Sequence, residues 1–279
     1  MFYLMPLNDC AEEGMPESGE AQEKLNRLKE VLGERRPVIS YSGGTDSSFL
    51  AYVAKLACER YLAVTLLSPL TPSWEREASS ATAEEVGLRH RLIHVDLLDI
   101  PQIVSNQADR CYHCKRSIMS FLKDLAREEG YDSVMDGTNH DDLGQDRPGL
   151  RALAELGVET PLADLGFTKE EIRMLSRDLG IPSWNRPSSP CIATRIPHGQ
   201  SLEPERLQRV DRSERILRED GFSIVRVRDH GATAVVEIGR EELDSLDLDR
   251  FRNELVPELK GTGYRNVLLD LEPYGHRDD

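Results

Sequence analysis

Nothing in these 279 residues approaches the ~18 consecutive apolar side chains that a membrane-spanning helix needs, and the apolar opening, Met1 to Leu7, is too short for a signal-peptide core. The stretch from Asp9 to Glu30 lacks the arginine enrichment of a transit peptide, so the cytoplasm is the expected location. Basic residues are scarce relative to acidic ones: 35 Lys and Arg face 50 Asp and Glu, a net charge of −15. A surface of that sign repels a long nucleic acid except at a locally basic groove. Cysteine is sparse and odd in number, five at uneven spacing in a chain large enough to need no staples. A disulfide framework is therefore not expected, and reduced thiols are available for chemistry. What is present, 39% hydrophobic and 30% charged residues, suffices for a sizeable core.

The length suits two unequal domains. Residues 1–20 read as an acidic tail, 21–185 as a first domain, 186–202 as a cysteine-bearing connecting loop, and 203–279 as a smaller α+β domain. Within the first domain, short apolar runs (Val38 to Tyr41, Tyr61 to Ser68, Arg91 to Asp96, Tyr131 to Asp136) alternate with helical patterns such as Ser73 to Val86 and Ser117 to Glu128. That alternation predicts an α/β fold, a doubly wound parallel sheet covered on both faces. The later part predicts a charged helix from Glu203 to Glu219 with a solvated face, strands Phe222 to Arg228, Thr233 to Ile238 and Tyr264 to Leu271, and a helix Asp249 to Leu259.

Between the first strand and the first helix of the alternating region lies Ser42-Gly43-Gly44-Thr45-Asp46-Ser47-Ser48. Two glycines let the backbone approach an anion, the helix start offers unpaired N–H groups, and the hydroxyls add donors. The string has no lysine, which separates it from the GxxxxGK[ST] loop, and it is not GxGxxG. Asp46 is placed to hold magnesium against a phosphate, or to act only as a helix N-terminal carboxylate. Asp136 and Asp142, after the last strand of the alternating region, are further candidates for magnesium or nucleotide contacts, or for polar-turn caps.

Cys10 falls in the tail, and Cys58 lies on the apolar side of the first helix, where an inert buried thiol is expected. Cys111 and Cys114 form a CxxC in what reads as a polar loop before a helix, and Cys191 sits in a proline-rich loop beside Arg195, which should lower its pKa. Three thiols can be completed in several ways. His113 or His198 could close a zinc site, a 4Fe–4S cluster could be held with one iron open, or Cys111 and Cys114 could be a redox pair with Cys191 reacting separately.

The phosphate-loop string resembles that of the PP-loop ATP pyrophosphatases, with their adenine nucleotide alpha hydrolase-like fold. With Arg110-Cys111-Tyr112-His113-Cys114-Lys115, Asp136-Gly137-Thr138-Asn139 through Asp142, Arg147-Pro148-Gly149, and Ser189-Pro190-Cys191-Ile192-Ala193-Thr194-Arg195-Ile196-Pro197-His198-Gly199, the chain resembles the LarE family from about Leu25 to Pro273. These are the sulfur transferases of nickel-pincer nucleotide biosynthesis. The resemblance implies that ATP adenylates a carboxylate of pyridinium-3,5-biscarboxylic acid mononucleotide and that sulfur then displaces AMP. It implies ATP, magnesium and, because all three cysteines are present, a 4Fe–4S cluster at Cys111, Cys114 and Cys191. The form of the family in which the cysteine matching Cys191 gives up its own sulfur stays open. A homo-oligomer and a sulfide or cysteine-desulfurase source of sulfur are also implied. The tail from Tyr274 to Asp279 departs from the family's usual ending.

Arg195, Arg226 and Arg228 are candidates for the substrate phosphate and carboxylates, since planar forks suit oxyanions and Arg226 and Arg228 share a strand face. Two rival functions are kept. One is a tRNA thiolase of the same superfamily, which the acidic composition disfavours; the other is a nucleotide-gated iron–sulfur or nickel carrier without turnover.

Overall fold

The computed structural model describes residues 18–144, 148–187 and 190–274. Most of the expected acidic tail with Cys10, together with Arg147, Ser188, Ser189 and the last five residues, lies outside them. The first part of the chain runs α1 (Ser18–Gly33), β1 (Pro37–Ser40), α2 (Thr45–Ala57), β2 (Leu62–Leu67), α3 (Ser73–Glu85) and β3 (His90–His94). It continues through α4 (Pro101–Val104), α5 (Arg110–Glu128), β4 (Ser133–Asp136), α6 (Pro148–Leu156), α7 (Pro161–Asp164) and α8 (Lys169–Asp178). The four strands form one parallel sheet in the order β3-β2-β1-β4, with Val38 opposite both Leu62 and Val134.

β1 has no polar alternation because both of its faces are covered. Ile39 packs with Leu28, Phe49, Leu50 and Phe167 on one side, while Val38 packs with Met119, Leu122 and Leu153 on the other. This is the doubly wound α/β sheet expected from the sequence. After β1 the chain builds outward through β2 and β3, then returns to place β4 on the other flank of β1. The connections therefore diverge at the carboxyl ends of β1 and β4 and leave a crevice there.

The later part contains a 3-10 turn (Ile192–Arg195), α9 (Pro204–Glu219), β5 (Val225–His230) and β6 (Thr233–Ile238), then α10 (Arg240–Asp244), α11 (Leu248–Arg250), α12 (Val256–Gly261) and β7 (Asn266–Leu269). β5 and β6 are antiparallel, β7 joins β6 in parallel, and Leu217, Val227, Val236, Phe251 and Leu259 form the core beneath them. The single helix expected over Asp249 to Leu259 is instead α11 and α12 joined by a π turn, Phe251–Leu255. Pro257 sits in the first turn of α12 and has no N–H to give; the wide turn before it accommodates the lost bond. Leu70, Leu97 and Ile103 of the first part share a cluster with Ile192, Ile196, Leu207 and Val210.

α9 keeps the solvated charged face its composition suggested, with Glu205, Gln208, Arg212, Arg215 and Glu219 exposed along one stripe. Two of its basic residues, Arg206 and Arg209, turn inward onto Asp229 of β5, which is 0% exposed. Arg206 Nη2 donates to Asp229 Oδ1 at 2.7 Å, Arg209 Nη2 to Oδ2 at 2.5 Å, and the Tyr264 hydroxyl to Oδ2 at 3.0 Å. Burial alone would raise the Asp229 carboxyl, but Arg206 and Arg209 hold it below its ordinary value. A carboxyl lowered on folding adds stability above its unfolded pKa of about 4, and that contribution is lost as pH falls through the folded value. Asp229→Asn should therefore cost about 3 kcal/mol in urea unfolding at neutral pH, by the cost of breaking a buried ion pair. The gap to the native chain should narrow as the pH drops below about 4.

Candidate functional site

A cavity of about 480 Å³ opens where β1 and β4 diverge, lined by Ser42, Gly44, Thr45, Asp46 and Ser47 on one side and Asp136, Gly137 and Thr138 on the other. The loop residues arrive in distinct roles. Gly43 has φ +77, and a Cβ there would fall 2.6 Å from both Cα and Cβ of Ser79 on α3, so only glycine fits. Gly43→Ala combines left-handed backbone strain with this clash and should lower thermal stability by about 2–4 kcal/mol, read by calorimetry.

Gly44 caps α2 in extended geometry. Ser42 and Ser47 share a hydroxyl pair at 3.0 Å, and the backbone N–H of Ser42 donates to Ser47 Oγ at 3.2 Å. Two members of the string differ from the expectation of phosphate contacts. Ser48 is 0% exposed and its hydroxyl meets Tyr41 in the core, because the helix turns it away from the crevice. Gly43 shapes the turn and does not line the cavity. The Thr45 hydroxyl lines the cavity but donates to Ser183 O at 2.8 Å, while Arg186 donates to Gly43 O at 2.7 Å.

The three carboxylates converge on this cavity unequally. Asn139 Nδ2 donates to Asp46 Oδ2 at 3.2 Å. Burial first, and then the nearby Asp142, push the Asp46 carboxyl up to about 6. An anion disfavoured in this way is a place where a bound cation gains the most. Asp142 caps its own 3-10 turn with Asn139 and meets Lys169 Nζ at 3.1 Å. Asp136 lines the same cavity: Oδ1 accepts from the Thr138 hydroxyl at 2.6 Å and Oδ2 from Lys115 Nζ at 2.7 Å. Both oxygens are engaged, and although burial would raise this carboxyl, Lys115 holds it low.

Lys115, Lys169, Arg173 and Arg186 bring positive charge to the cavity from α5, from α8 and from the segment after it. None was singled out in the sequence, because they come from separate segments and share no local motif. The only signal was the position of Lys115 directly after the CxxC.

That CxxC stands in the first turn of α5, not in a loop before it. The first two turns carry Arg110, His113, Lys115 and Arg116, so their helical character is masked by polar residues until Ile118. Helical geometry puts Cys111 and Cys114 three residues apart on one face. Cys114 packs in the same cluster as Cys191, and Cys191 and Cys111 both act on Cys114 electrostatically. Burial is the larger effect, and together they push the Cys114 thiol up to about 12. Cys191 is also raised by burial, against a smaller opposing pull from Arg110. The expected acidic thiol at Cys191 is thus corrected for the metal-free chain. Cys58 is pushed up by burial to about 11 and donates to Leu32 O at 3.2 Å. Among the described residues no group of three or more His, Cys, Asp or Glu side chains stands ready to hold a metal ion. His113 meets Asp109 at 3.1 Å and His198 meets Asn106 O at 3.3 Å, so both histidines have partners other than the thiols.

No protein-family model matches the chain. A pyridinium-3,5-bisthiocarboxylic acid mononucleotide synthase of Lactiplantibacillus plantarum is 32% identical over 253 residues, 90% of this chain and 91% of the relative. The chain belongs to this synthase family. An uncharacterized protein of Synechocystis is 38% identical over 91% of this chain and 95% of its own length. A subunit of the glutamine-hydrolyzing GMP synthase of Pyrococcus furiosus is 26% identical over 71% of this chain and 68% of the relative, in keeping with a PP-loop ATP-using fold. At the level of the family, the expectation of an enzyme of the sulfurtransferase kind is met. No helix among the described residues is long and apolar enough to cross a membrane.

Within this family member the three expected substrate arginines occupy unlike places. Arg195 is 1% exposed, and its guanidinium is consumed by Glu214 and by backbone carbonyls, so it cannot receive a substrate as expected. Arg226 is buried, stacks 4.8 Å from the Tyr274 ring centroid, and has an Nε without a partner. Arg228 Nε donates to Glu237 at 2.9 Å and its Nη1 to Thr194 O at 2.9 Å. Glu214 of α9 is 1% exposed beside this group.

Proposed function

We propose that the chain is an ATP-dependent sulfurtransferase that converts a carboxylate of pyridinium-3,5-biscarboxylic acid mononucleotide to a thiocarboxylate, in assembly of the nickel-pincer nucleotide. One observation carries the proposal. From adjacent positions on α5, Lys115 lines the phosphate-loop cavity while Cys114 packs with Cys191, so phosphate-facing charge and thiols share one helical turn.

In this scheme a substrate carboxylate oxygen attacks the α-phosphorus of ATP, the bond to the bridging oxygen breaks, and pyrophosphate leaves. A sulfur nucleophile then adds to the acyl carbon, and AMP departs with the former carboxylate oxygen. The amino end of α2 and the Ser42–Ser47 hydroxyl pair receive the pyrophosphate, where N–H groups and the helix dipole favour anions. Asp46 is the first magnesium ligand, with Asp142 beside it, since hard oxygens suit that ion. Lys115, held by Asp136, and Lys169, held by Asp142, oppose the phosphate charge. Arg226 and Arg228, two positions apart on β5, are assigned to a substrate oxyanion.

The donor set of Cys111, Cys114 and Cys191, three soft ligands that feel one another's charge, suits a 4Fe–4S cluster, which when bound supplies a labile sulfide. The chain is proposed to act as a homo-oligomer and to draw sulfur from sulfide or a cysteine desulfurase. The test is purified chain with ATP, magnesium, the biscarboxylate nucleotide and sulfide. Pyrophosphate release that needs the nucleotide, and a product heavier by one sulfur-for-oxygen exchange, are expected; neither appearing defeats the proposal.

A further inference from the structure

The Arg195–Glu214 pair sits where the cysteine-bearing segment meets the second sheet. Glu214 on α9 takes Arg195 with both oxygens, Nε to Oε1 at 2.7 Å and Nη2 to Oε2 at 3.0 Å. Its Oε1 also accepts the backbone N–H of Val227 on β5 at 3.1 Å. The remaining edge of the guanidinium points back along its own segment, with Nη1 donating to Pro190 O at 2.7 Å, Cys191 O at 3.1 Å and Thr194 Oγ1 at 2.9 Å. Thr194 adds its own N–H and hydroxyl to the same Cys191 carbonyl, at 3.0 and 2.9 Å. On the other side Ile192 N donates to Leu70 O at 3.1 Å. The backbone around Cys191 is thus fixed between the β2–α3 connection and the second sheet.

Taking two charges out of water is costly, and an apolar pair of the same shape is often as stable. A buried Arg–Glu pair whose Nη1 donors end on two carbonyls and a hydroxyl around one cysteine is therefore poorly explained by stability alone. We propose that Arg195 and Glu214 are positioning residues that hold the Cys191 thiol in its sulfur-transfer position facing Cys111 and Cys114. This rests on the sulfur-transfer function proposed above. Arginine is required because its planar fork reaches a carboxylate and two carbonyls at once, which a lysine ammonium on its flexible stem cannot.

Arg195→Lys keeps the buried charge beside Glu214 and loses the fork; Thr194→Val leaves both Arg195–Glu214 bonds whole and removes the hydroxyl that donates to the Cys191 carbonyl and accepts from Arg195 Nη1. Two readouts are compared in each variant: thiocarboxylate formation against nucleotide-dependent pyrophosphate release, and the rate at which iodoacetamide labels Cys191 in metal-free chain, with Cys111 as internal reference. For Arg195→Lys, thiocarboxylate formation should fall about 10- to 100-fold, the range for residues that orient a ligand side chain. Pyrophosphate release should fall by no more than about 3-fold, because that step precedes sulfur transfer. Cys191 should label several-fold faster while Cys111 does not change. Thr194→Val should move both readouts in the same direction by less, and it decides the matter alone if Arg195→Lys does not fold. Wild-type labelling of Cys191 in the folded variants, or parallel losses of pyrophosphate and thiocarboxylate, overturns the proposal. Absence of nucleotide-dependent pyrophosphate release from the native chain would instead strike the function, and labelling would still report on positioning.

Discussion

Cys191→Ser should abolish thiocarboxylate formation, by about 1,000-fold or more, while nucleotide-dependent pyrophosphate release persists at a rate near that of the native chain. The separation follows from location. Cys191 packs with Leu70, Ile103 and Cys114, whereas the phosphate-loop cavity is lined without it. Losing the thiol removes the nucleophile or its holder and leaves the adenylating groups in place. Cys111→Ala and Cys114→Ala then divide the two possible donors. If a cluster is the donor, both variants lose iron and acid-labile sulfide after anaerobic reconstitution and lose turnover with them. If Cys191 spends its own sulfur, both keep a single turnover, and the mass of the native chain falls by one hydrogen sulfide.

The second large effect is expected at Asp46, where activity and stability should move in opposite directions. Asp46→Asn should cut pyrophosphate release about 100- to 1,000-fold, the range seen when a preorganised electrostatic group is removed from a reacting centre. The same substitution should make the metal-free chain more stable at neutral pH. Burial and Asp142 both disfavour the Asp46 anion, and the amide removes that penalty while keeping the shape that Asn139 holds. Pyrophosphate kinetics and urea unfolding check the pair. A variant that loses both activity and stability would show that Asp46 serves the fold and not the reaction.

How much of this was legible from the sequence depended on how local each signal was. The strands of the first sheet and the Ser42 to Ser48 string are continuous segments whose residue types state their own geometry, and they stand within a few residues of where they were expected. The start of α5 was hidden because its first turn is polar and its apolar stripe begins at Ile118. Charges misled for a related reason. Arg195 beside Cys191 suggested a free cation, but Glu214, far along the chain, claims it. Arg206 and Arg209 suggested a wet helix face, but Asp229 turns them inward. Lys115, Lys169 and Arg186 meet at one cavity from segments that no spacing rule connects. Composition names such groups; only the folded chain says which charge answers which.

One stretch of backbone has a partner at each end. Ser183 and Arg186 grip the phosphate loop through Thr45 and Gly43, and four positions beyond Arg186 the carbonyl of Pro190 is held by Arg195. In the proposed function the two ends of this stretch therefore serve different half-reactions, the triphosphate at the loop and the sulfur at Cys191.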